Sequence, residues 1–167
     1  VGFDIYPDFE TGEDQLLICT KKGKLFLINK DSGDIIWKMK IELGDSKVAC
    51  IKVENLCLDK EKDIILGYDN SDNFISVIVP EGNGDMKNEK GLVSYERDEK
   101  KTFEVSIVHF RAPWERKNTV LTLDTIDFDD DNNIDIVVST EGPRLDTVYL
   151  DDDSKEINFD ISKKVNT

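Results

Sequence analysis

The chain is 167 residues long, 38% hydrophobic and 35% charged, with 36 acidic against 22 basic residues and a formal net charge of −14. That is enough apolar chain for one packed domain, which excludes a disordered polymer. An acidic surface of this size repels nucleic-acid phosphates and anionic membranes, and no apolar run approaches the roughly 20 residues of a membrane helix, so neither nucleic acid nor direct membrane insertion is expected.

Helical periodicity is almost missing. Short apolar, β-branched runs recur instead, separated by Gly, Asn, Asp and Lys clusters. Residues 15–20 read as a strand, turning at Lys21-Lys22-Gly23-Lys24 into a second over 25–29. There Leu25, Leu27 and Asn29 point one way and Phe26 and Ile28 the other. Lys30-Asp31-Ser32-Gly33 is a further turn, with Gly33 free to take positive φ, and 34–41 follows as a strand holding Trp37. Strands are predicted again over 47–53, 63–68 and 74–79. The polar stretch 80–91 reads as a flexible loop. Strands 91–96 and 102–111 come next, joined by the charged turn 97–101. Residues 120–128 and 134–140 flank an acidic loop, and 146–150 closes a third meander; the tail from Ile157 reads as an edge strand or a frayed end.

Three segments overlay on one another: 14–20, 63–68 and 135–140. Each carries an Asp, then an apolar run, then a small or polar turn, and the anchors Asp14, Asp63 and Asp135 lie 49 and 72 positions apart. Blades of a propeller repeat at about 40–50 residues, so the first spacing fits and the second implies an insertion near Pro80. The expected fold is all-β, built of blade-like antiparallel meanders. It is either one propeller-like domain over 1–167 or a fragment whose missing strands are supplied elsewhere.

Two stretches carry resemblances. Residues 16–41, with Gly23, Asp31, Gly33 and Trp37 in the characteristic places, resemble the repeat of quinoprotein-dehydrogenase-like propellers. That resemblance implies a tight turn at Gly33 and Trp37 packed between neighbouring blades; such repeats also occur in luminal stress-sensor domains. Residues 124–138 (Asp-Thr-Ile-Asp-Phe-Asp-Asp-Asp-Asn-Asn-Ile-Asp-Ile-Val-Val) are similar to the FG-GAP/VCBS repeat of integrin-α-type propellers. This implies a nine-residue calcium loop between two strands of a blade. Its ligands would be Asp127, Asp129, Asp131 and Asp135, with the carbonyl of Asn133. The Gly usual at the sixth position is replaced by Asn132, which tolerates the left-handed conformation better than most residues.

The chemistry of the loop stands without the family. Four carboxylates at alternating positions repel one another by about 4 kcal/mol per close pair at an effective dielectric constant near 20, and a divalent cation with six or seven oxygen ligands relieves this. The competing reading is a solvated Asp/Asn turn without metal. Asp8, Glu10 and Asp14 form a shortened echo of the loop, and Asp151-Asp152-Asp153 reads as a solvated turn. His109 stands in an apolar strand without a nearby Asp or Ser arrangement, which favours a strand histidine over a catalytic base. Trp114 reads as blade packing or as an exposed binding residue. Cys19 and Cys57 have apolar neighbours and read as core thiols; a Cys50–Cys57 bridge is the alternative for that pair.

The expected function is a non-catalytic propeller module that presents loops to a protein partner, with a structural calcium ion, in the extracellular space or the secretory lumen; a cytoplasmic place stays open. The alternatives are a luminal sensor of unfolded peptides and, behind it, a fragment of a quinone-dependent dehydrogenase. Open sheet edges predict self-association. A chain that opens on Val1 reads as a piece of a longer one, so a missing secretory signal excludes nothing.

Overall fold

The computed structural model describes residues 2–7, 12–56, 62–69, 73–80, 90–94, 102–111, 119–128, 130, 134–141 and 145–148. These residues form antiparallel strands and their connections, with no helix among them: β1 (Gly2–Pro7), β2 (Asp14–Cys19), β3 (Lys24–Asn29), β4 (Ile35–Lys40), β5 (Lys47–Glu54), β6 (Asp63–Asp69), β7 (Asn73–Pro80), β8 (Lys90–Ser94), β9 (Thr102–Arg111), β10 (Val120–Ile126), β11 (Asp135–Thr140) and β12 (Leu145–Val148). The all-β expectation is met. One strand, β1, has no counterpart in the sequence reading. The stretch expected as a loop over 80–91 begins on the last residue of β7 and ends inside β8, and 81–89 lies outside the described residues.

Local chemistry explains the first turns. The Asn29 side-chain oxygen accepts the amides of Asp31 (3.0 Å) and Ser32 (2.9 Å), and Gly33 closes the turn at φ 75°, a conformation that costs a side chain with a Cβ. The flanking strands alternate as expected: Leu25 and Leu27 are buried, while Phe26 and Ile28 are partly exposed.

Strands β1-β2-β3-β4-β8-β9-β7-β6-β5 make one nine-stranded sheet, and β10-β11-β12 a separate three-stranded one. The large sheet is joined in its middle by a single residue pair, Lys38 opposite Ser94. Its two end strands, β1 and β5, nevertheless touch one another, and Asp4 Oδ2 accepts the Val53 amide at 2.7 Å. The sheet is therefore doubled over at the β4–β8 junction, its halves face to face. Between them lies the first core, where Leu17, Cys19, Leu25, Trp37 and Met39 meet Val53, Ile64, Leu66, Tyr68 and Ile78. The other face of the second half, with Ile65, Ile75, Val77 and Val79, packs on Val120, Leu123, Ile136 and Val138 of the small sheet.

The middle layer is thus covered on both sides. This is why β6 is buried at every position from Asp63 to Tyr68 and reads as a continuous apolar run rather than an alternating one. Close approach of the third layer needs a bare backbone at Gly67. A Cβ there would stand 2.6 Å from Cys50 Sγ and 2.6 Å from Val120 Cγ1.

Facing also separates the three expected anchors, Asp14, Asp63 and Asp135. In β6 and β11 the buried polar residues are Asp63 and Asp135; in β2 that place belongs to Gln15, while Asp14 is exposed at the strand start. Strand residues opposite one another point to the same side, and Leu17 faces the next layer as Ile65 does.

Candidate functional site

The acidic loop joins β10 to β11, and the ladder below it closes with Ile126 opposite Asp135. Antiparallel pairing therefore brings the first loop position, Asp127, to the same end as the ninth, Asp135. Asp135 is 1% exposed, and its Oδ2 accepts the amide of Phe128 at 2.9 Å, closing the neck of the loop. Asp127 is partly exposed. The one non-glycine residue at positive φ among those described is Asp130, at φ 62°; Asn132, expected to tolerate that conformation, lies outside the described residues. So do Asp129, Asp131 and Asn133, three of the five expected ligands. Among the described residues no three potential ligands converge. Asp135 sits at the loop neck with its carboxylate turned to the backbone of the second loop position.

A second loop has the same neck. Between β5 and β6, Asp63 is 1% exposed and its Oδ2 accepts the amide of Leu56 at 2.8 Å, again across seven positions. Asn55 stands where Asp127 stands in the other loop, and Cys57 where Asp129 does, so this twin lacks the first two carboxylates. The buried Asp at position nine is consequently a backbone clamp in both loops, and the carboxylates at positions one and three distinguish the 127–135 loop. The sequence carried a signal for the twin: an apolar residue seven places before an Asp that heads an apolar strand, at Leu56/Asp63 as at Phe128/Asp135.

A charged row crosses the first strands of the three layers. Asp4, Lys52 and Asp124 stand opposite Leu17, Ile65 and Val137, the same register position in β1, β5 and β10. Lys52 Nζ meets Asp124 Oδ1 at 3.0 Å. Their bond holds the Asp124 carboxyl below and the Lys52 ammonium above their usual ranges. One step along, Thr125 Oγ1 donates to Glu54 Oε2 at 3.2 Å, and Lys62 Nζ lies 3.5 Å from Glu54 Oε1. Burial pushes the Glu54 carboxyl up, but the Asn55 amide, the Lys62 charge and the Thr125 hydroxyl outweigh it and hold it below the usual range. The row ties β5 to β10 by polar bonds where the two layers' first strands run side by side.

The other singled-out residues separate. Cys19 is a free, buried thiol, as expected of a core position, and Cys50 is free and partly buried; Cys57 lies outside the described residues. His109 occupies β9 opposite Ser76. Asp8, Glu10, Trp114 and residues 151–153 also lie outside the described residues. Compared with family models, with curated proteins and with solved structures, the chain matches none.

Proposed function

We propose that the chain is a non-catalytic module of the β-propeller kind, which presents its loops to a protein partner and holds a calcium ion in the 127–135 loop to pin β10 to β11. The observation that carries this reading is the order of the layers. Each new layer begins with a strand (β1, then β5, then β10) laid beside the first strand of the layer before, and each layer is stacked face to face on the last. Sheets arranged this way offer a rigid stack with loops at its ends, a form suited to recognition. When bound, calcium would be held by Asp127, Asp129, Asp131, Asp135 and the Asn133 carbonyl, and would neutralise a loop that otherwise repels itself. Such a need for calcium fits the extracellular space or the secretory lumen.

Thermal unfolding in excess EDTA and in millimolar calcium, on the native chain and on Asp129→Ala, tests the cation. Calcium at 100 times its dissociation constant adds about 2.7 kcal/mol, or roughly 5–10 °C for a domain of this size. A rise in the native chain that the variant lacks is expected. An unchanged native chain would return the loop to a solvated turn.

A further inference from the structure

Both internal interfaces join the same two kinds of face. The Leu17 face of the first layer lies on the Ile64 face of the second, and the Ile65 face of the second lies on the Ile136 face of the third. Register fixes the equivalence: Ile5, Val53 and Thr125 stand opposite Leu16, Ile64 and Ile136. The Ile64 face therefore has its counterpart on the outer side of the first layer, formed by Phe3, Ile5, Leu16, Ile18, Phe26 and Ile28. In the second layer that face is closed, with Ile64 1% and Leu66 0% exposed; in the first layer it is open, with Phe3 71% and Ile5 50% exposed. At the other end of the stack the outer side of the third layer is the counterpart of the Leu17 and Ile65 faces. It too is open, with Ile126 55% exposed and Val137 partly so, and it is more polar than its counterparts, because Thr122, Asp124 and Ser139 stand on the same side.

A hydrogen-bond pattern repeats with the faces. Asp4 Oδ1 accepts the amide of its own neighbour Ile5 at 2.9 Å, and its Oδ2 crosses to the Val53 amide in the next layer at 2.7 Å. Asp124, in the equivalent place, makes the same first bond, Oδ1 accepting Thr125 N at 3.0 Å; its contact with Lys52 also falls on Oδ1. Its Oδ2 then corresponds to the atom that in Asp4 takes an amide from the following layer.

We infer that two copies of this chain stack head to tail, the outer face of the third layer of one on the outer face of the first layer of the other. The inference extends the layered reading of the proposed function and is independent of its cation. A second copy supplies the required partner because the open faces at the two ends are of complementary kinds, and the contact continues an interface the chain already makes twice. Such an interface is heterologous, using different surfaces on the two copies. One mismatch follows: Asp4 of the incoming copy comes beside Asp124, where the internal steps set a lysine against an aspartate. Together with the formal charge of −14 per copy, this makes the association stronger at high salt.

Sedimentation velocity over a concentration series, at low and high sodium chloride, reads the assembly. The native chain is expected to associate with concentration, more so at high salt. Ile5→Lys and Ile126→Lys, both at exposed positions, should each weaken self-association at least tenfold, and their mixture should recover a 1:1 complex through the one unaltered pair of faces. Circular dichroism melts establish that each variant folds; Phe3→Lys and Val137→Lys take their places if one does not. A chain monomeric at every concentration and salt overturns the inference. So does loss of association in Ile5→Lys with Ile126→Lys unaffected, which would mean two first layers packed against each other. A monomer that still gains stability from calcium leaves the proposed function standing, and an assembly indifferent to calcium does the reverse.

Discussion

Asp63 reaches back seven residues to the amide of Leu56, and Asp135 does the same to Phe128, at 2.8 and 2.9 Å, both carboxylates almost wholly buried. A buried amide left without its acceptor costs more than the bond itself contributes, and charged acceptors make the stronger bonds. Asp63→Ala should therefore lower stability by about 2 kcal/mol, whether or not calcium is present. Asp135→Ala should cost less in EDTA, because Phe128 is exposed enough for water to take its amide, and should in addition abolish any response to calcium. Urea midpoints of the two variants, with and without calcium, check this; an Asp63→Ala as stable as the native chain would contradict the clamp.

The contact of Gly67 with Cys50 and Val120 predicts a steric effect. Gly67→Val must push apart the second and third layers or shift β10, at about 1–3 kcal/mol. Trimming the obstacle should relieve it: the cost of Gly67→Ala is expected to be smaller in a Val120→Ala background than in the native one, a non-additivity that a double-mutant cycle in urea measures.

Burial governs the thiols. It pushes Cys19 up to about 12 and Cys50 up to about 11 from an ordinary value of 9.0. The folded chain thus keeps protons that the unfolded chain gives up above pH 9. The stability tied to the neutral thiols is complete below that pH and is lost as pH rises towards 11 and 12. Tyr68, raised by burial to about 12, adds to the same alkaline loss. Iodoacetamide at mildly alkaline pH should label Cys19 and Cys50 quickly in urea and slowly in the native state, as peptide mapping would show.

Lys52 and Asp124 are close but wet, with 31% and 75% of their side-chain surfaces exposed. Water and salt screen such a pair, so Lys52→Met should change stability by no more than about 1 kcal/mol, with the difference fading at high salt. Because the Asp124 carboxyl is held low, the contribution is present above its ordinary value of 3.8 and is lost as pH falls through its lowered one. Acid titrations of the native chain and the variant should converge there.

Most of the strand pattern was legible because each run of alternating or β-branched residues ends in residues with a turn chemistry of their own, as at Asn29 and Gly33. Strand β1 was not, since Phe3 and Ile5 stay exposed and Asp4 interrupts an already short run. Nor was the strand order: β8 and β9 insert between β4 and β7, a pairing across long stretches of sequence that no local periodicity encodes. In the acidic loop the spacing of carboxylates could be read, but the clamp was missed: taken alone, Asp63 looks like any polar residue before an apolar strand, and Leu56 seven places earlier gains meaning only beside Phe128 and Asp135. Its meaning appears once the strand is seen to be covered on both sides, so that its first residue has no water to turn to. The one-residue slip between Asp14 and Gln15 has the same origin: facing, rather than residue type, decides which position is equivalent.

The single pair Lys38–Ser94 that joins the two halves of the large sheet has a consequence for how the chain assembles. Strands β1 to β4 are neighbours in sequence and pair in sequence order, so that meander can form by fast, local hairpin closure. The junction between β4 and β8, and the core around Trp37 that forms when the halves fold together, require the ends of a long loop to meet first. Loop-closure entropy makes that meeting late and slow. Refolding should accordingly show an early phase that reports strand formation and a later one that reports the burial of Trp37.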